Sequence, residues 1–399
     1  INSQRLHKKM KIKQIPEDFL VEEIPTVKPK KTGPYAILEL KKKDMDLINA
    51  KKAIAKKLRI SYKEISHAGI KDKIAVTTQL ISIKTNRKDT MNFQTPTISI
   101  KKIGCLPKPL QSGDLRGNKF TITLRDLTKD DIKKIKSNLK RINSTGIPNF
   151  FDSQRFGEDL RREGFIAKRL MKDDYETALK LYLTSNNNKS PNKNAAHRFI
   201  FKNWNKWMKC LTHLQKYEKL HEEKKIIYYL AKNPTHYLQS FRRINKLTQE
   251  IVVSAYQSFI WNKCLSVILK EKAEDLIPVD YAAGKLHFYK KLSNKQFEEL
   301  RDLELPMIAP GTKITDEYIK SVVEKILSKE GIKQEELKVK KMGNLFFKTR
   351  IRHMIILPKD LKVHPEEFDD LNEGMNKLTI EFALEKGSYA TMLLKALEL

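Results

Sequence analysis

A short basic loop with a single acid, running from His67 to Gln79, offers the clearest catalytic chemistry in the chain. It contains Gly69, whose backbone can adopt angles closed to other residues, followed by the Lys-Asp-Lys run at 71–73. Because charged side chains are rarely buried, we expect the tip of the loop to be exposed. The neighbouring lysines would keep the Asp72 carboxylate ionised, and an ionised carboxylate fixed at the edge of a sheet can act as a nucleophile. The same composition is also typical of a solvated turn, so local chemistry alone leaves both interpretations open.

A second chemical cluster lies in the stretch Gly146–Gly157, which combines two adjacent aromatic residues with an amide and an arginine. The aromatics are Phe150 and Phe151, and stacking on an aromatic ring stabilises a bound base by about 1–3 kcal/mol. The side-chain amide of Asn149 can pair with the Watson–Crick edge of an extruded uracil. Together these residues predict a pocket for a nucleobase.

The composition points to a large polyanionic partner. The 399 residues carry 79 Lys and Arg against 48 Asp and Glu, a formal charge of +31 that is spread along the whole length. Nucleic acid is the leading candidate and membrane headgroups are the alternative. The sequence has no apolar run long enough to span a bilayer and no signal peptide, so we expect a soluble, cytoplasmic protein. Met10 is a candidate natural start.

The cysteines match no metal or redox spacing. Cys105, Cys210 and Cys264 are far apart in the chain and form no Cys-x-x-Cys or Cys/His pattern. We therefore expect no disulfide and no structural metal.

Hydrophobic periodicity predicts a mixed α/β first half, in which apolar and polar residues alternate most regularly at Phe120–Leu124. Helical spacing with a plausible N-cap at Thr128 predicts a second helix that buries Ile132, Ile135, Leu139 and Ile142. The predicted elements are β segments at 11–25, 35–40, 80–83, 96–103 and 120–124, and helices at 47–58 and after 128.

The middle of the chain is predominantly helical and the end returns to β. Helices are predicted at 159–171, 175–183, 248–270 and 315–328, with a strand or hairpin at 278–289 and strands at 352–358 and 378–384. The long helix should turn Ile251, Val252, Ala255, Phe259 and Leu265 inward. An apolar stripe is predicted as core: Phe199, Trp204, Trp207, Met208 and Leu211.

Several blocks of the sequence resemble the TruD family of pseudouridine synthases. The family pattern Gly-x-Lys-Asp-x-x-Ala-x-Thr-x-Gln fits residues 69–79 without a gap, and further blocks follow in family order at 13–23, 113–120, 149–157, 256–262 and 382–391. The resemblance covers most of the chain. It implies an α+β fold with a mixed, mainly antiparallel sheet flanked by helices. It also implies a discontinuous catalytic domain at 1–159 and 346–399, interrupted by a largely helical α/β insertion domain at 160–345.

By the same resemblance, Asp72 would be the catalytic nucleophile, attacking either the ribose or the base. Lys13 would be the basic residue that keeps the Asp72 carboxylate ionised and oriented. Phe19 would be an aromatic contact of the target base, although its place in an alternating strand also fits a core residue.

The remaining predicted substrate contacts come from the later blocks. Asn149 would contact the base, Phe151 would stack on it, and Tyr389 would be a further aromatic contact at a helix N-terminus. The chain departs from the family pattern at two positions here: Phe150 replaces a tyrosine and Asp152 replaces a glycine.

The resemblance implies an isomerase that breaks the N-glycosidic bond of a uridine in RNA and rejoins the uracil through C5. It implies uridine 13 in the D-arm of certain tRNAs as the target, with no cofactor, no membrane and no protein partner. The alternatives are the same reaction on another RNA, or a non-catalytic RNA-binding or RNA-folding protein that keeps the cleft.

Overall fold

The computed structural model describes residues 10–84, 91–156, 164–185, 190–343 and 345–399. These residues form two compact units. The first unit holds the described residues up to Ile147 and from Ile356 to Leu399, and the second runs from Pro148 to Ile355. The predicted domain edges at 160 and 345 fall inside the second unit. The assignment of the middle segment to an insertion domain therefore stays a prediction.

The described residues contain both secondary-structure types throughout. The strands are β1 (Phe19–Pro25), β2 (Tyr35–Lys43), β3 (Ser66–His67), β4 (Val76–Lys84), β5 (Phe93–Gln94), β6 (Ile98–Leu106), β7 (Leu115–Leu127), β8 (Ile147–Pro148), β9 (Glu274–Tyr281), β10 (Gly284–Lys291), β11 (Glu304–Met307), β12 (Arg350–His353), β13 (Ile355–Ile356), β14 (Lys359–Phe368) and β15 (Asn376–Glu385). The helices are α1 (Leu47–Leu58), α2 (Lys129–Thr145), α3 (Ile166–Met171), α4 (Tyr175–Thr184), α5 (Pro191–Lys202), α6 (Trp207–Leu214), α7 (His221–Lys232), α8 (Tyr237–Phe241), α9 (Lys246–Lys272), α10 (Asn294–Asp302), α11 (Glu317–Lys329) and α12 (Ala390–Leu397). Within the described ranges, no helix is both long enough and apolar enough to cross a bilayer.

One nine-stranded sheet organises the first unit. Its order is β14-β15-β7-β1-β4-β2-β6-β5, with β3 also paired to β4. The pair β1–β4 is parallel, whereas the other pairs are antiparallel. The predicted α+β class with a mixed, mainly antiparallel sheet is therefore confirmed.

Helix α1 covers part of this sheet and matches its predicted bounds. Its N-cap Asp46 accepts a hydrogen bond from the backbone of Asn49, and it ends at Arg59, whose φ of 53° is left-handed. The apolar stripe that defined the helix in the sequence packs into a core cluster with residues of β2, β4 and β6. Helix α2 also forms as predicted, with a capping box between Thr128 and Asp131.

Strand β14 lies in the acidic stretch between the last two predicted strands, to which the sequence analysis assigned no secondary structure. The strand pairs with β15 along one edge of the sheet. Most of its residues are exposed, so it has no buried face to produce an alternating pattern. Charged residues on an edge strand also discourage pairing with other chains.

The second unit is built around α9, whose residues from Val253 to Leu269 are largely buried. The prediction that Ile251 points inward was wrong, since this side chain is 45% exposed, and Met208 of the predicted apolar stripe is 64% exposed. The predicted hairpin forms as β9 and β10. Helix α3 begins at Ile166, and the predicted start of that helix at Asp159 lies outside the described residues.

The central sheet contains one close backbone approach. A Cβ added to Gly117 of β7 would lie 2.1 Å from the carbonyl oxygen of Leu384 on β15. A backbone oxygen in a paired strand cannot move aside without breaking the ladder. Glycine is therefore required here for space.

We expect Gly117→Ala to lower the free energy of unfolding by at least about 2–3 kcal/mol, because the added methyl group meets the backbone of the neighbouring strand β15. Urea unfolding followed by circular dichroism measures the change. Gly311→Ala is the control, since its Cβ would meet no atom within 4 Å and should shift stability by less than about 0.5 kcal/mol. Equal midpoints for the two variants would contradict the steric account.

Candidate active site

The Asp72 carboxylate lies in the loop between β3 and β4 and forms an ion pair with Lys13. Lys13 Nζ is 2.8 Å from Asp72 Oδ1, and the two side chains are 21% and 33% exposed, respectively. The pair is therefore sheltered but reachable from solvent. Lys13 and Asp72 lie together as the sequence analysis predicted, although they are 59 residues apart.

Lys13 is held by its backbone and by an aromatic ring. Its φ of 59° is left-handed, a conformation that is unfavourable for a residue other than glycine and that often marks functional sites. Its ammonium lies 3.8 Å from the centre of the Phe19 ring. Phe19 itself is 1% exposed and packs edge-on against Phe120. In this structure Phe19 supports Lys13, and its predicted contact with the base stays a prediction.

The expectation that the whole tip of the loop is exposed was wrong. Lys71 is buried, and its ammonium lies 2.8 Å from Glu23 Oε2 and donates a hydrogen bond of 2.7 Å to Asn118 Oδ1. The Glu23 side chain is 1% exposed. A charged residue can be buried where a partner compensates its charge, and this partner, 48 residues earlier in the chain, was invisible to local sequence rules.

Gly69 also has a different role from the one predicted. Its φ is not left-handed, so backbone freedom does not explain it. Its carbonyl oxygen instead accepts a hydrogen bond of 3.0 Å from Gln79 Nε2, which closes the loop onto β4.

Lys42 provides a second cation at the loop, which sequence analysis missed. It is 1% exposed, and its ammonium donates a hydrogen bond of 2.7 Å to the backbone carbonyl of Asp72. Burial lowers the pKa of Lys42 to about 8, against the opposing effect of the nearby Asp72 carboxylate. Lys13 thus contacts the Asp72 carboxylate and Lys42 contacts the Asp72 backbone carbonyl. The adjacent Lys73 is exposed.

A buried arginine anchors the segment that carries Lys13. Arg125 on β7 forms ion pairs of 2.7 Å with Asp18 and Asp369 and of 2.9 Å with Asp370. Its backbone also exchanges two hydrogen bonds with Lys11. This cluster fixes the chain on both sides of Lys13. Its members lie too far apart in sequence for spacing rules to find them.

Tyr389 is half-buried at the N-cap position of α12, as the sequence predicted for the start of the last helix. Its backbone carbonyl accepts a hydrogen bond of 3.0 Å from Met392. Near Asp72, the loop also exposes two apolar side chains, Ile70 at 70% and Ile74 at 45%.

Asn149 and Phe151 belong to the second unit, where an arginine connects them. The Arg352 side chain donates hydrogen bonds to the backbone carbonyl and to Oδ1 of Asn149, while Asn149 Nδ2 donates to the carbonyl of His353. The Arg352 guanidinium lies 4.0 Å from the centre of the Phe151 ring. Asn149 therefore orients a cation that covers one face of the predicted stacking residue.

The Phe151 backbone is clamped to α9. Asn262 accepts a hydrogen bond from the Phe151 amide and donates one to its carbonyl, both at 2.9 Å, and Trp261 packs edge-on against the ring. Asp152, the departure from the family glycine, has a φ of −79°. This is an ordinary conformation, so the substitution introduces no backbone strain.

Comparisons with known proteins agree with the sequence resemblance. Residues 7–397 match the family described as tRNA pseudouridine synthase D (TruD). A protein of Methanocaldococcus jannaschii named Probable tRNA pseudouridine synthase D 2 is 38% identical over 97% of this chain and 91% of its own length. The tRNA pseudouridine synthase D of Aquifex aeolicus is 31% identical over 97% of this chain and 98% of its own length. The structure also resembles a solved TruD homologue of Methanosarcina mazei, with a TM-score of 0.69, 28% identity and coverage of 97% and 93% of the two chains.

This chain belongs to the tRNA pseudouridine synthase D (TruD) family. The match spans almost every residue of the chain.

We expect Glu23→Gln to lower the free energy of unfolding by about 3–5 kcal/mol, because it leaves the Lys71 ammonium buried without a counter-charge. Adding Lys71→Met to this variant should recover much of the loss. Guanidinium unfolding of the single and double variants measures both effects.

Glu366→Gln is the matched control, because Glu366 forms an exposed ion pair with Lys136 at 3.2 Å. It should change stability by no more than about 1 kcal/mol. A Glu23→Gln effect as small as that of the control would show that the buried pair does not hold the loop.

Proposed function

We propose that this protein converts a uridine of tRNA to pseudouridine, with Asp72 as the nucleophile. The observation that carries the proposal is the half-buried Asp72 carboxylate, ion-paired with Lys13 at 2.8 Å in a loop fixed from both sides. Family membership supports the reaction, and the family pattern Gly-x-Lys-Asp-x-x-Ala-x-Thr-x-Gln is present without a gap at residues 69–79.

The reaction breaks the bond between ribose C1′ and uracil N1 and forms a bond between C1′ and C5. The hydrogen on C5 leaves as a proton and N1 gains a proton, so the product is an isomer of the substrate. Asp72 attacks the ribose or the base, and the same carboxylate is released when the new bond forms. Lys13 orients the carboxylate through its contact with Oδ1, and Lys42 fixes the backbone of the loop during attack.

The substrate is inferred from the relatives and from charge. The relatives are named for tRNA, and the net charge of +31 suits a polyanion whose binding weakens with salt. The family resemblance implies uridine 13 of the D-arm as the target position. We place the reaction in the cytoplasm, where tRNA is available.

The extruded base is proposed to contact Asn149, Phe151, Tyr389 and Phe19. Arg352 extends this set, because a guanidinium lying on an aromatic ring offers a flat surface on which a base can stack. The base therefore either stacks on the Arg352 guanidinium or displaces the guanidinium and stacks on the Phe151 ring.

Asp72→Asn is expected to reduce turnover by about 10⁴-fold or more, as removal of a nucleophile does in other enzymes. RNA affinity should stay within a few-fold, because the amide has nearly the same shape. Release of tritium from tRNA transcripts labelled at C5 of uridine, in single turnover, measures the rate, and filter binding measures affinity.

The exposed acid Glu366 again supplies the control, and Glu366→Gln should keep the wild-type rate. Full activity of Asp72→Asn would refute the assignment of the nucleophile. Intact tRNA binding by the wild type without turnover on any transcript would favour the non-catalytic RNA-binding alternative.

The rate should also depend on the charge of Lys42. Because burial lowers its pKa to about 8, Lys42 is protonated at pH 7 and loses its charge as the pH rises through 8. The single-turnover rate at saturating RNA should fall over this range, since the neutral amine holds the Asp72 loop less strongly.

Lys42→Met should be slower at pH 7 and should lack this step in its pH profile. Lys73→Met, which removes an exposed lysine next to Asp72, should retain it. A step at pH 8 that persists in Lys42→Met would assign the titration to another group.

A further inference from the structure

A groove of about 210 Å³ in the second unit belongs to neither of the sites described above. The start of α9 forms one wall, and residues of β11, of β12 and of the segment preceding β12 form the others. Its lining residues are Arg155, Leu247, Glu250, Ile251, Val253, Ser254, Gln257, Met307, Phe346, Lys348 and Arg350.

Large apolar side chains are unusually exposed around this groove. Leu247 is 56% exposed, Ile251 45% and Phe346 56%. Three such residues in one concave place form a patch rather than scattered surface residues, and such patches mark binding sites. The outward orientation of Ile251, which contradicted its helical pattern, is explained by its place in this patch.

The charged residues of the groove favour an anion. Arg155, Lys348 and Arg350 are cationic, whereas Glu250 is the one acid in the described lining. Among the residues that the structure describes, Lys348 and Arg350 form no ion pair within this unit. The Lys348 ammonium instead lies 5.3 Å from the centre of the Phe346 ring. An aromatic ring beside uncompensated cations suits a nucleotide, whose base stacks and whose phosphate carries charge.

The volume and the position of the groove limit which ligands it can bind. The volume is below the range of about 300–1,000 Å³ typical of pockets for drug-sized molecules, so one base fits better than a dinucleotide. Arg155 lines the groove and lies 5.6 Å from the Phe151 ring, and its Nε donates a hydrogen bond to Ser258 on α9. The groove is therefore next to the predicted stacking residue.

We propose that this groove binds a nucleotide of the RNA beside the extruded uridine, with its base on Phe346 and its phosphate on Lys348 and Arg350. This inference rests on the proposed function, because it takes RNA as the ligand and Phe151 as part of the uridine site. Binding in the groove increases the affinity of the enzyme for RNA and fixes which nucleotide lies at the uridine site. The groove takes no part in the chemistry.

The first test compares two exposed phenylalanines by filter binding of tRNA transcript at one salt concentration. Phe346→Ala should raise the Kd at least about fivefold, as loss of a base stack does. Phe201→Ala is the matched control, since Phe201 is 55% exposed and has the Lys180 ammonium 5.5 Å from its ring centre. The Kd of the control should change less than twofold.

The second test addresses the phosphate. Replacing Lys348 and Arg350 by Gln should reduce the slope of log Kd against log salt by about 0.7, as expected for the loss of one phosphate contact to single-stranded RNA. Circular dichroism melting checks that each variant is folded, which is expected because all the changed side chains are exposed.

The single-turnover rate at saturating RNA separates this inference from the proposed function. If the wild type is active and Phe346→Ala keeps its maximal rate while binding RNA more weakly than Phe201→Ala, the groove is a nucleotide site. If the wild type binds RNA without turnover and Phe346→Ala still weakens binding, the nucleotide site stands and the proposed chemistry fails. Unchanged RNA affinity in both the Phe346 and the Lys348/Arg350 variants would overturn the inference and point to a protein as the occupant.

Discussion

The buried ion pair between Lys71 and Glu23 is the interaction on which the Asp72 site depends. Glu23 belongs to β1 and Lys71 immediately precedes Asp72, so the pair joins the Asp72 loop to a central strand of the sheet. Desolvating two charges is costly, and the cost is offset here by the short ion pair and by the hydrogen bond to Asn118. A loop held in this way gives Asp72 a defined position while leaving its carboxylate accessible.

The partner of Asp72 is positioned by an independent set of contacts. Arg125 binds three carboxylates and the backbone of Lys11, and these contacts fix the segment in which Lys13 adopts its left-handed backbone. The position of the Lys13 ammonium is therefore fixed by the surrounding fold and does not depend on attraction to Asp72 alone. Such preorganisation places charge where a reaction needs it, without reorganisation during the reaction.

Local pattern was sufficient for elements with one buried face. Helices α1 and α2 follow directly from their apolar spacing and caps. The nucleophile candidate followed only from the family resemblance of its loop, because local chemistry also left a solvated turn open. The sequence pattern did not predict β14, because an exposed edge strand has no buried face and therefore shows no alternation of apolar and polar residues. The pattern also gave the wrong exposure for Lys71 and Ile251. Lys71 is buried beside Glu23, and Ile251 is exposed in the groove, and in both cases the neighbouring residues are distant in sequence.

The same limit applies to the residues around the bases. Sequence motifs indicated Asn149 and Phe151, but only the structure shows that Asn149 presents Arg352 to the Phe151 ring. Lys42 was likewise hidden in a strand of alternating residues, since nothing in its local sequence indicates that its ammonium reaches the carbonyl of Asp72. Functional contacts formed across the fold carry no local signature.

Whether the protein converts a uridine of tRNA to pseudouridine is tested directly by mapping pseudouridine in unmodified tRNA transcripts after incubation with the purified protein. Carbodiimide labelling followed by primer extension reports each modified position. The account predicts one enzyme-dependent stop, at uridine 13 of the D-arm. The absence of any stop across a full set of transcripts that the protein binds would contradict it.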